Sequence, residues 1–314
     1  MDRKPWATEP RTLSMLCILY VNAVGMLLGI AGLLAERALP AAFSRRWVWC
    51  IIIPVSVFLP GYYRWHHNWS VIDALQQPAM VAQTYDTSIN RVWLTASAML
   101  LLWGLASAWR VSRVIWVSRR ERGPTIVDGV PVVVTDAIGP ATVGLLPSRV
   151  LVPRWVLAMP RPQRQYVLRH EEEHRRAHDA QLIFVASLAL ILMPWNLAMW
   201  WQLRRLCLAV EMDCDNRVVN RLGNATAYGE LLLKVAQVSS RGPRLQPALL
   251  GGMGSLERRL TVLLAPTPLR KIQRFLLPAA VLGLLFVVLA MPHPVLHAGH
   301  AHGAMTSGVI VPSR

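Results

Sequence analysis

The sequence predicts a mainly α-helical membrane protein with four transmembrane helices and a cytoplasmic domain that combines a small β-sheet with helices. The 314 residues have a mean hydropathy of +0.36, which is high for a water-soluble protein. The apolar residues fall into long blocks without a charge, and about 20 such residues cross a hydrocarbon core of ~30 Å. Residues 110–274 separate the last two predicted spans and are numerous enough to fold as a domain.

The four spans are expected where the uncharged blocks are longest. The first lies at about 13–34, and its apolar stretch is too long for a cleavable signal peptide. The others are expected at about 47–63, 92–109 and 275–291. A water-soluble core is the alternative, but a globular chain rarely contains so many blocks of this length.

The net charge of +16 comes almost entirely from arginine. A basic chain can bind nucleic acid, but we find no recognition module in the sequence. The rule that cytoplasmic loops are positive explains the charge better. Loops 36–46 and 110–179 are rich in arginine and are expected in the cytoplasm, whereas loop 64–91 is expected outside. Both chain termini are then outside.

The same pattern divides the chain into four regions. Residues 1–111 form a three-helix membrane region with the outer loop 64–91, and residues 112–272 form the cytoplasmic domain. Residues 273–291 form the fourth membrane helix, and residues 292–314 form a short outer tail that we expect to be disordered. Within the cytoplasmic domain, β-branched runs around Asp128-Gly129 predict a hairpin in a small sheet over about 124–153.

The most polar stretch of the cytoplasmic domain fits the pattern H-E-x-x-H on a helix. His170 and His174 are four residues apart, so both imidazoles lie on one helical face and can bind one zinc ion at ~2.0–2.1 Å. Glu171 is one step round the helix, where it can act as a general base on water. We interpret Glu172 and Glu173 as solvated charge. The alternative for the whole stretch is a solvated helix face.

A second helix, further along the chain, offers the third ligand that a metal site with two histidines still needs. Glu211 and Asp215 are four residues apart in CLAVEMDCDNRVV. Glu211 is the candidate third ligand, and Asp215 can hydrogen-bond the back nitrogen of a liganding histidine. Asp179 is expected to support the site from outside the ligand set. His178 is a competing ligand, and Cys214 is interpreted as a packing residue.

The uncharged block 180–203 separates these two helices and is long enough to cross the membrane. If it crossed, Glu211 and His174 would lie on opposite sides of the bilayer, which a shared metal ion forbids. We therefore predict a membrane-associated helical hairpin that turns near Pro194–Asn196. Arginines on both flanks of the block favour the same side for both arms.

Five segments between about Gly139 and Leu264 carry a family resemblance: GPATVGLLPSRVLVP, VLRHEEEHRRAHD, PWNLAMWWQLRRLCLAVEMDCDNRVV, YGELLLKV and LERRLTVLL. In the order of these segments, the chain resembles the BlaR/MecR-type family of bacterial membrane zinc metallopeptidases. The resemblance implies a zincin-like α+β metallopeptidase domain with the ligands His170, His174 and Glu211 around Zn²⁺ and with Glu171 as the base. It also implies a strand near 141–152 whose edge holds an extended substrate.

The resemblance implies a gluzincin-like endopeptidase of the bacterial inner membrane that acts in signal transduction, as regulators of the antibiotic-response type do. Its expected substrate is a cytoplasmic transcriptional repressor or the chain itself. The expected partners are the lipid bilayer and this protein substrate, without direct nucleic-acid binding, and a homodimer is left open. β-Lactam sensing is not expected, because only residues 292–314 follow the last span.

Two alternatives stay open. A CAAX-protease-like or HtpX-like quality-control metalloprotease has the same two motifs. A non-enzymatic membrane signalling scaffold is the second alternative, and the intact Glu171 argues against it.

Overall fold

The computed structural model describes residues 15–40, 43–66, 86–122, 125–135, 139–145, 147–239, 253–264 and 272–291. Most of the predicted outer loop 64–91 and the whole predicted tail 292–314 lie outside these ranges. Within them the chain is mostly helical and contains one small mixed sheet, which confirms this part of the predicted fold class.

The helices, numbered along the chain, are α1 (Met15–Ala38), α2 (Arg46–His66), α3 (Asp86–Arg122), α4 (Arg154–Leu157), α5 (Arg161–Arg176), α6 (Asp179–Leu192), α7 (Leu197–Leu222), α8 (Ala225–Ser239), α9 (Met253–Leu264) and α10 (Gln273–Ala290). The strands are β1 (Thr125–Val127), β2 (Val130–Thr135), β3 (Ala141–Val143) and β4 (Arg149–Pro153).

Two helices among the described residues are long and apolar enough to cross a membrane. They are Ile18–Ala38 within α1 and Ser88–Ser118 within α3. The apolar stretches of α2 and α10, Arg46–Pro60 and Phe275–Ala290, are shorter. At 1.5 Å per residue they cover about 22–24 Å, which is less than the ~30 Å of a hydrocarbon core. Two of the four predicted spans, α1 and α3, are thus supported. The spans at α2 and α10 stay predictions.

Helix α1 packs against α2, α7 and α10, and glycine allows its close approach to α7. A Cβ atom at Gly29 would lie 2.2 Å from Cζ3 of Trp201, and one at Gly25 would lie 3.0 Å from Cβ of Ala198. The amide of Gln202, a fully buried residue of α7, donates to the carbonyl oxygen of Gly25 at 2.7 Å. Any larger residue at Gly29 would therefore displace the indole of Trp201.

Helices α6 and α7 form a hairpin, and the chain reverses between Met193 and Asn196. The side chain of Asn196 accepts a hydrogen bond from the backbone N–H of Met199 at 3.2 Å and caps α7. At the end of α6, the indole N–H of Trp93 donates to the carbonyl oxygen of Leu192 at 2.9 Å. The reversal returns α7 to the level at which α6 begins, so both arms reach the same end of the bundle.

The sheet has the strand order β1-β2-β4-β3. Strands β1 and β2 form an antiparallel hairpin around Asp128 and Gly129, which both have positive φ, at 47° and 81°. This is the two-residue turn that the sequence predicts. Strand β2 pairs with β4 in parallel, and β3 pairs with β4 antiparallel. One face of the sheet packs on α5, α7 and α8, and β3 forms the edge beside α5.

Candidate metal centre

Helix α5 places the two motif histidines side by side. Pro162 lies in its first turn, where the missing N–H is of no consequence, and the buried Val167 and Leu168 anchor the helix on the sheet. The Nε2 atoms of His170 and His174 are 3.2 Å apart. Two nitrogens at ~2.0–2.1 Å from a tetrahedral zinc ion are about 3.3 Å apart, so the pair fits one ion.

Helix α7 brings Glu211 to the same nitrogen atoms. One carboxylate oxygen of Glu211 is 3.5 Å from Nε2 of His170, and the other is 3.7 Å from Nε2 of His174. The side chain of Glu211 is 24% exposed, more than the 12–13% of the two histidines. The structure therefore brings together the three side chains that the sequence predicts as ligands.

Cys214 lies closer to the histidines than its interpretation as a packing residue suggests. Among the described residues, His170, His174 and Cys214 form a group of donors whose ligand atoms are all within 4.8 Å. However, the sulfur of Cys214 contacts Nδ1 of His170, at 3.3 Å, whereas Glu211 faces the Nε2 atoms. Because the paired Nε2 atoms have the spacing for one ion, we favour Glu211 over Cys214 as the third ligand.

Asp179 supports His174 from behind. One carboxylate oxygen of Asp179 is 2.8 Å from Nδ1 of His174, so the imidazole donates there and leaves Nε2 for a metal. His178 has φ 57° and forms the left-handed corner between α5 and α6 that returns Asp179 to this position. His178 itself is exposed at that corner, outside the donor group, so the structure does not support it as a competing ligand.

Asp215 supports His170 through a bridging hydroxyl group that the sequence analysis did not predict. Its carboxylate oxygen is 3.6 Å from Nδ1 of His170, too far for a direct hydrogen bond. The hydroxyl of Tyr228 lies between them, 2.9 Å from Nδ1 and 2.7 Å from the oxygen of Asp215. Tyr228 lies on α8, in the segment YGELLLKV. The family resemblance included this segment but gave none of its residues a role.

Arg259 on α9 is the second residue whose role was missed. Its guanidinium group binds the carboxylate of Asp215 through Nε and Nη2, both at 2.7 Å, and its Nη1 is 2.9 Å from Glu211. Burial raises the pKa of Glu211, but Arg259 and the histidines outweigh it, so this pKa lies well below its usual range. Glu211 is therefore an ionised carboxylate, the form that binds a metal.

The groups around the two motif histidines raise the pKa of both imidazoles. Burial lowers the pKa of His170, but the neighbouring Cys214 and Glu211 raise it to about 10. The pKa of His174 also rises well above its usual value despite burial, through Cys214, Glu211 and Asp179. A metal bound by these nitrogens would therefore displace protons, and its affinity would fall as the pH falls.

Glu171 is buried against the edge of the sheet. The hydroxyl of Thr142 is 2.7 Å from the backbone carbonyl oxygen of Glu171 and 3.0 Å from a carboxylate oxygen of its side chain, so these two acceptors share its one proton. Thr142 lies in β3. The predicted base and the edge strand thus meet directly, next to the two histidines.

Glu172 and Glu173 are not solvated, so this interpretation is wrong. Each is only 3% exposed and is paired with arginine. Glu172 binds Arg175 and Arg176, and Glu173 binds Arg217 and Arg221 of α7. The ion pairs of Glu172 thus lie within α5, whereas those of Glu173 join α5 to α7.

We expect Tyr228→Phe to weaken zinc binding by about 10- to 100-fold, because Nδ1 of His170 loses the hydroxyl that orients it. The aromatic ring, which packs in the core, is kept. Zinc affinity is measured by competition with a chelator of known affinity. Tyr166→Phe is the matched control, because its hydroxyl binds the carbonyl oxygen of Gly223 instead. Equal losses in both variants would exclude a specific role of Tyr228.

The comparison with known families agrees with this geometry. The profile of the family described as BlaR1 peptidase M56 matches residues 66–263, which is more than half of the chain. The matched segment contains every residue of the centre named above, from Thr142 to Arg259. No curated protein matches the chain.

Proposed function

Because the chain belongs to the BlaR1 peptidase M56 family, we propose that it is a membrane-embedded, zinc-dependent endopeptidase of the gluzincin type. The observation that supports this most strongly is the meeting of three donors. The Nε2 atoms of His170 and His174 are 3.2 Å apart, and each is within 3.7 Å of a carboxylate oxygen of Glu211. With Glu171 beside them, three candidate ligands and a candidate base lie together.

His170, His174 and Glu211 would hold the zinc ion, which would supply a Lewis acid for water and for a peptide carbonyl. Glu171 takes a proton from the attacking water and passes it to the leaving amine. The hydrogen bond from Thr142 keeps the carboxylate of Glu171 in one orientation for both transfers. Because Glu171 is buried, it works with little competition from bulk water.

The residues behind the histidines set which nitrogen is free for the metal. Asp179 accepts the Nδ1 proton of His174, and Tyr228, held by Asp215, accepts that of His170. Both imidazoles thus offer Nε2 to the same point. This arrangement supports a metal site over a solvated helix face, since a solvated face needs no such partners.

The proposed topology has four spans, α1, α2, α3 and α10, in the inner membrane of a bacterium. The two long apolar helices support it, and so does the arginine excess of loops 36–46 and 110–179. The metal centre then lies on the cytoplasmic side, with both termini outside. The hairpin of α6 and α7 enters the bilayer from the cytoplasm and returns to it.

The proposed substrate is a cytoplasmic transcriptional repressor or the chain itself, cleaved in response to a signal. The edge strand β3 supports an extended peptide as the substrate, because its Thr142 touches Glu171. A peptide added along β3 would therefore pass the base and the metal together. The proposed partners are the lipid bilayer and this protein substrate.

The test is chelator-sensitive peptide cleavage by the purified protein. The chain, in detergent micelles with one equivalent of zinc, is incubated with a peptide mixture made from bacterial cytosol, and new N-termini are identified by mass spectrometry. We expect cleavage that stops with a zinc chelator and returns when zinc is added back. Autolytic products of the chain are read from the same spectra.

Other outcomes lead to different conclusions. Cleavage that the chelator does not affect, or none at all in a zinc-loaded preparation, would exclude the metallopeptidase and favour the scaffold. Efficient cleavage of many misfolded membrane proteins, tested in parallel, would favour a quality-control protease over a regulator with one substrate.

A further inference from the structure

The segment before α2 contacts the helix that carries Glu211. The carboxylate of Asp213, on α7, accepts hydrogen bonds from the backbone N–H groups of Arg45 and Arg46, both at 3.2 Å. It also accepts one from the hydroxyl of Ser44. N–H groups at the start of a helix have no partner within the helix. Asp213 of the metal-binding helix therefore caps the apolar helix α2.

The side chain of Arg46 continues this contact to the histidine helix. Its Nη1 atom is 2.6 Å from one oxygen of Asp179, and the other oxygen of Asp179 is 2.8 Å from Nδ1 of His174. The same Nη1 is 3.5 Å from the carbonyl oxygen of Ala177, directly after α5. A continuous hydrogen-bonded path thus joins the first residue of α2 to a proposed zinc ligand.

Burial makes Asp179 depend on its cationic partners. The side chain of Asp179 is 2% exposed, and that of Arg46 is 14% exposed. A buried carboxylate that loses its partner is strongly destabilised. Arg217 is the other arginine at Asp179, but it is farther away, at 3.5 Å, and also pairs with Glu173 at 3.3 Å. Arg46 is therefore the principal partner that fixes the orientation of Asp179.

We propose that Arg46 is a positioning residue of the metal centre, which holds Asp179 so that His174 presents Nε2, and that it links the position of α2 to metal affinity. The inference rests on the zinc site of the proposed function. Such a linkage acts in both directions. Zinc binding stabilises the start of α2, and a displacement of α2 at this end weakens zinc binding.

The first test compares zinc affinities, measured by chelator competition, in full-length protein in detergent. We expect Arg46→Gln to bind zinc about tenfold more weakly. This is the lower end of the loss of affinity that is typical when a residue supporting a metal ligand is replaced. Arg46→Lys should recover most of the affinity, because only one guanidinium nitrogen contacts Asp179. Arg45→Gln is the matched control, since the guanidinium of Arg45 contacts the sulfur of Met212 instead.

The second test measures the reverse effect by hydrogen exchange. In the wild type, zinc should slow exchange of the amides at residues 44–47, two of which donate to Asp213. In Arg46→Gln this zinc-dependent slowing should be largely lost, while it persists in Arg45→Gln. Neither readout requires peptidase activity, so the inference is tested independently of the substrate.

Each contrary result has a separate meaning. Unchanged zinc affinity in Arg46→Gln, or equal losses in Arg46→Gln and Arg45→Gln, would overturn the positioning role while leaving the proposed function intact. No zinc effect on exchange at the start of α2 in the wild type would overturn the linkage. A wild type that takes up no zinc at all would overturn the proposed function, and this inference with it.

Discussion

Glu171→Gln is expected to lower kcat/KM for peptide cleavage by roughly 10²- to 10⁴-fold, the usual contribution of a general base. Glutamine has the shape of glutamate and keeps an oxygen that can accept the hydrogen bond from Thr142. It cannot take a proton from water. Glu171 is not among the proposed ligands, so zinc content should stay at about one ion per chain. The measurements are the rate of chelator-sensitive cleavage and the zinc content of the same preparation.

Glu230→Gln serves as the control, because Glu230 is an exposed glutamate of α8. It should cleave at the wild-type rate. If Glu171→Gln retained full activity with full zinc content, Glu171 would not be the base. If it lost its zinc as well, the loss of activity would show a structural role, and the assignment of the base would fall.

Glu211→Ala is expected to remove zinc from the purified protein, while Cys214→Ser should keep it. Glu211 faces the Nε2 atoms of both histidines, and losing one of three protein ligands should weaken binding by more than the roughly 10- to 100-fold of a supporting residue. Serine at position 214 keeps a small side chain in the buried position behind His170. Zinc content by elemental analysis and affinity by chelator competition measure both variants.

This pair of variants decides between two ligand sets. Loss of zinc in Cys214→Ser with retention in Glu211→Ala would replace Glu211 by Cys214, through the donor group of His170, His174 and Cys214. Glu211→Gln separates ligand loss from misfolding, since glutamine can still contact Arg259. An unfolded Glu211→Ala beside a folded, zinc-free Glu211→Gln would still support Glu211 as the ligand.

Local spacing predicted the parts of the centre that depend on one helix or one turn. The separation of four residues between His170 and His174 dictates a shared face, and Asp128-Gly129 dictates a tight turn. The hairpin position followed from a topological argument, since the two helices that carry the proposed ligands must reach one ion. These inferences need no knowledge of how distant segments pack.

The parts that could not be predicted depend on groups arriving from other helices. Tyr228 and Arg259 lie on α8 and α9, and no spacing rule relates them to His170 or Asp215. Glu173 looks like surface charge because the sequence shows only its neighbours along α5. The arginines of α7 that pair with Glu173 become its neighbours only in the fold.

Because Gly29 and Trp201 are in close contact, the helix that carries Glu211 depends on α1 for its position. Helix α7, which carries Glu211, rests on α1 there, and its buried Gln202 donates to Gly25 of α1 and to Ser56 of α2. Both of these helices are synthesised more than 100 residues before α7. The residues of α1 and α2 that receive α7 are thus synthesised before α7. A fragment beginning after α3 would keep every proposed ligand yet lose the support that aligns them.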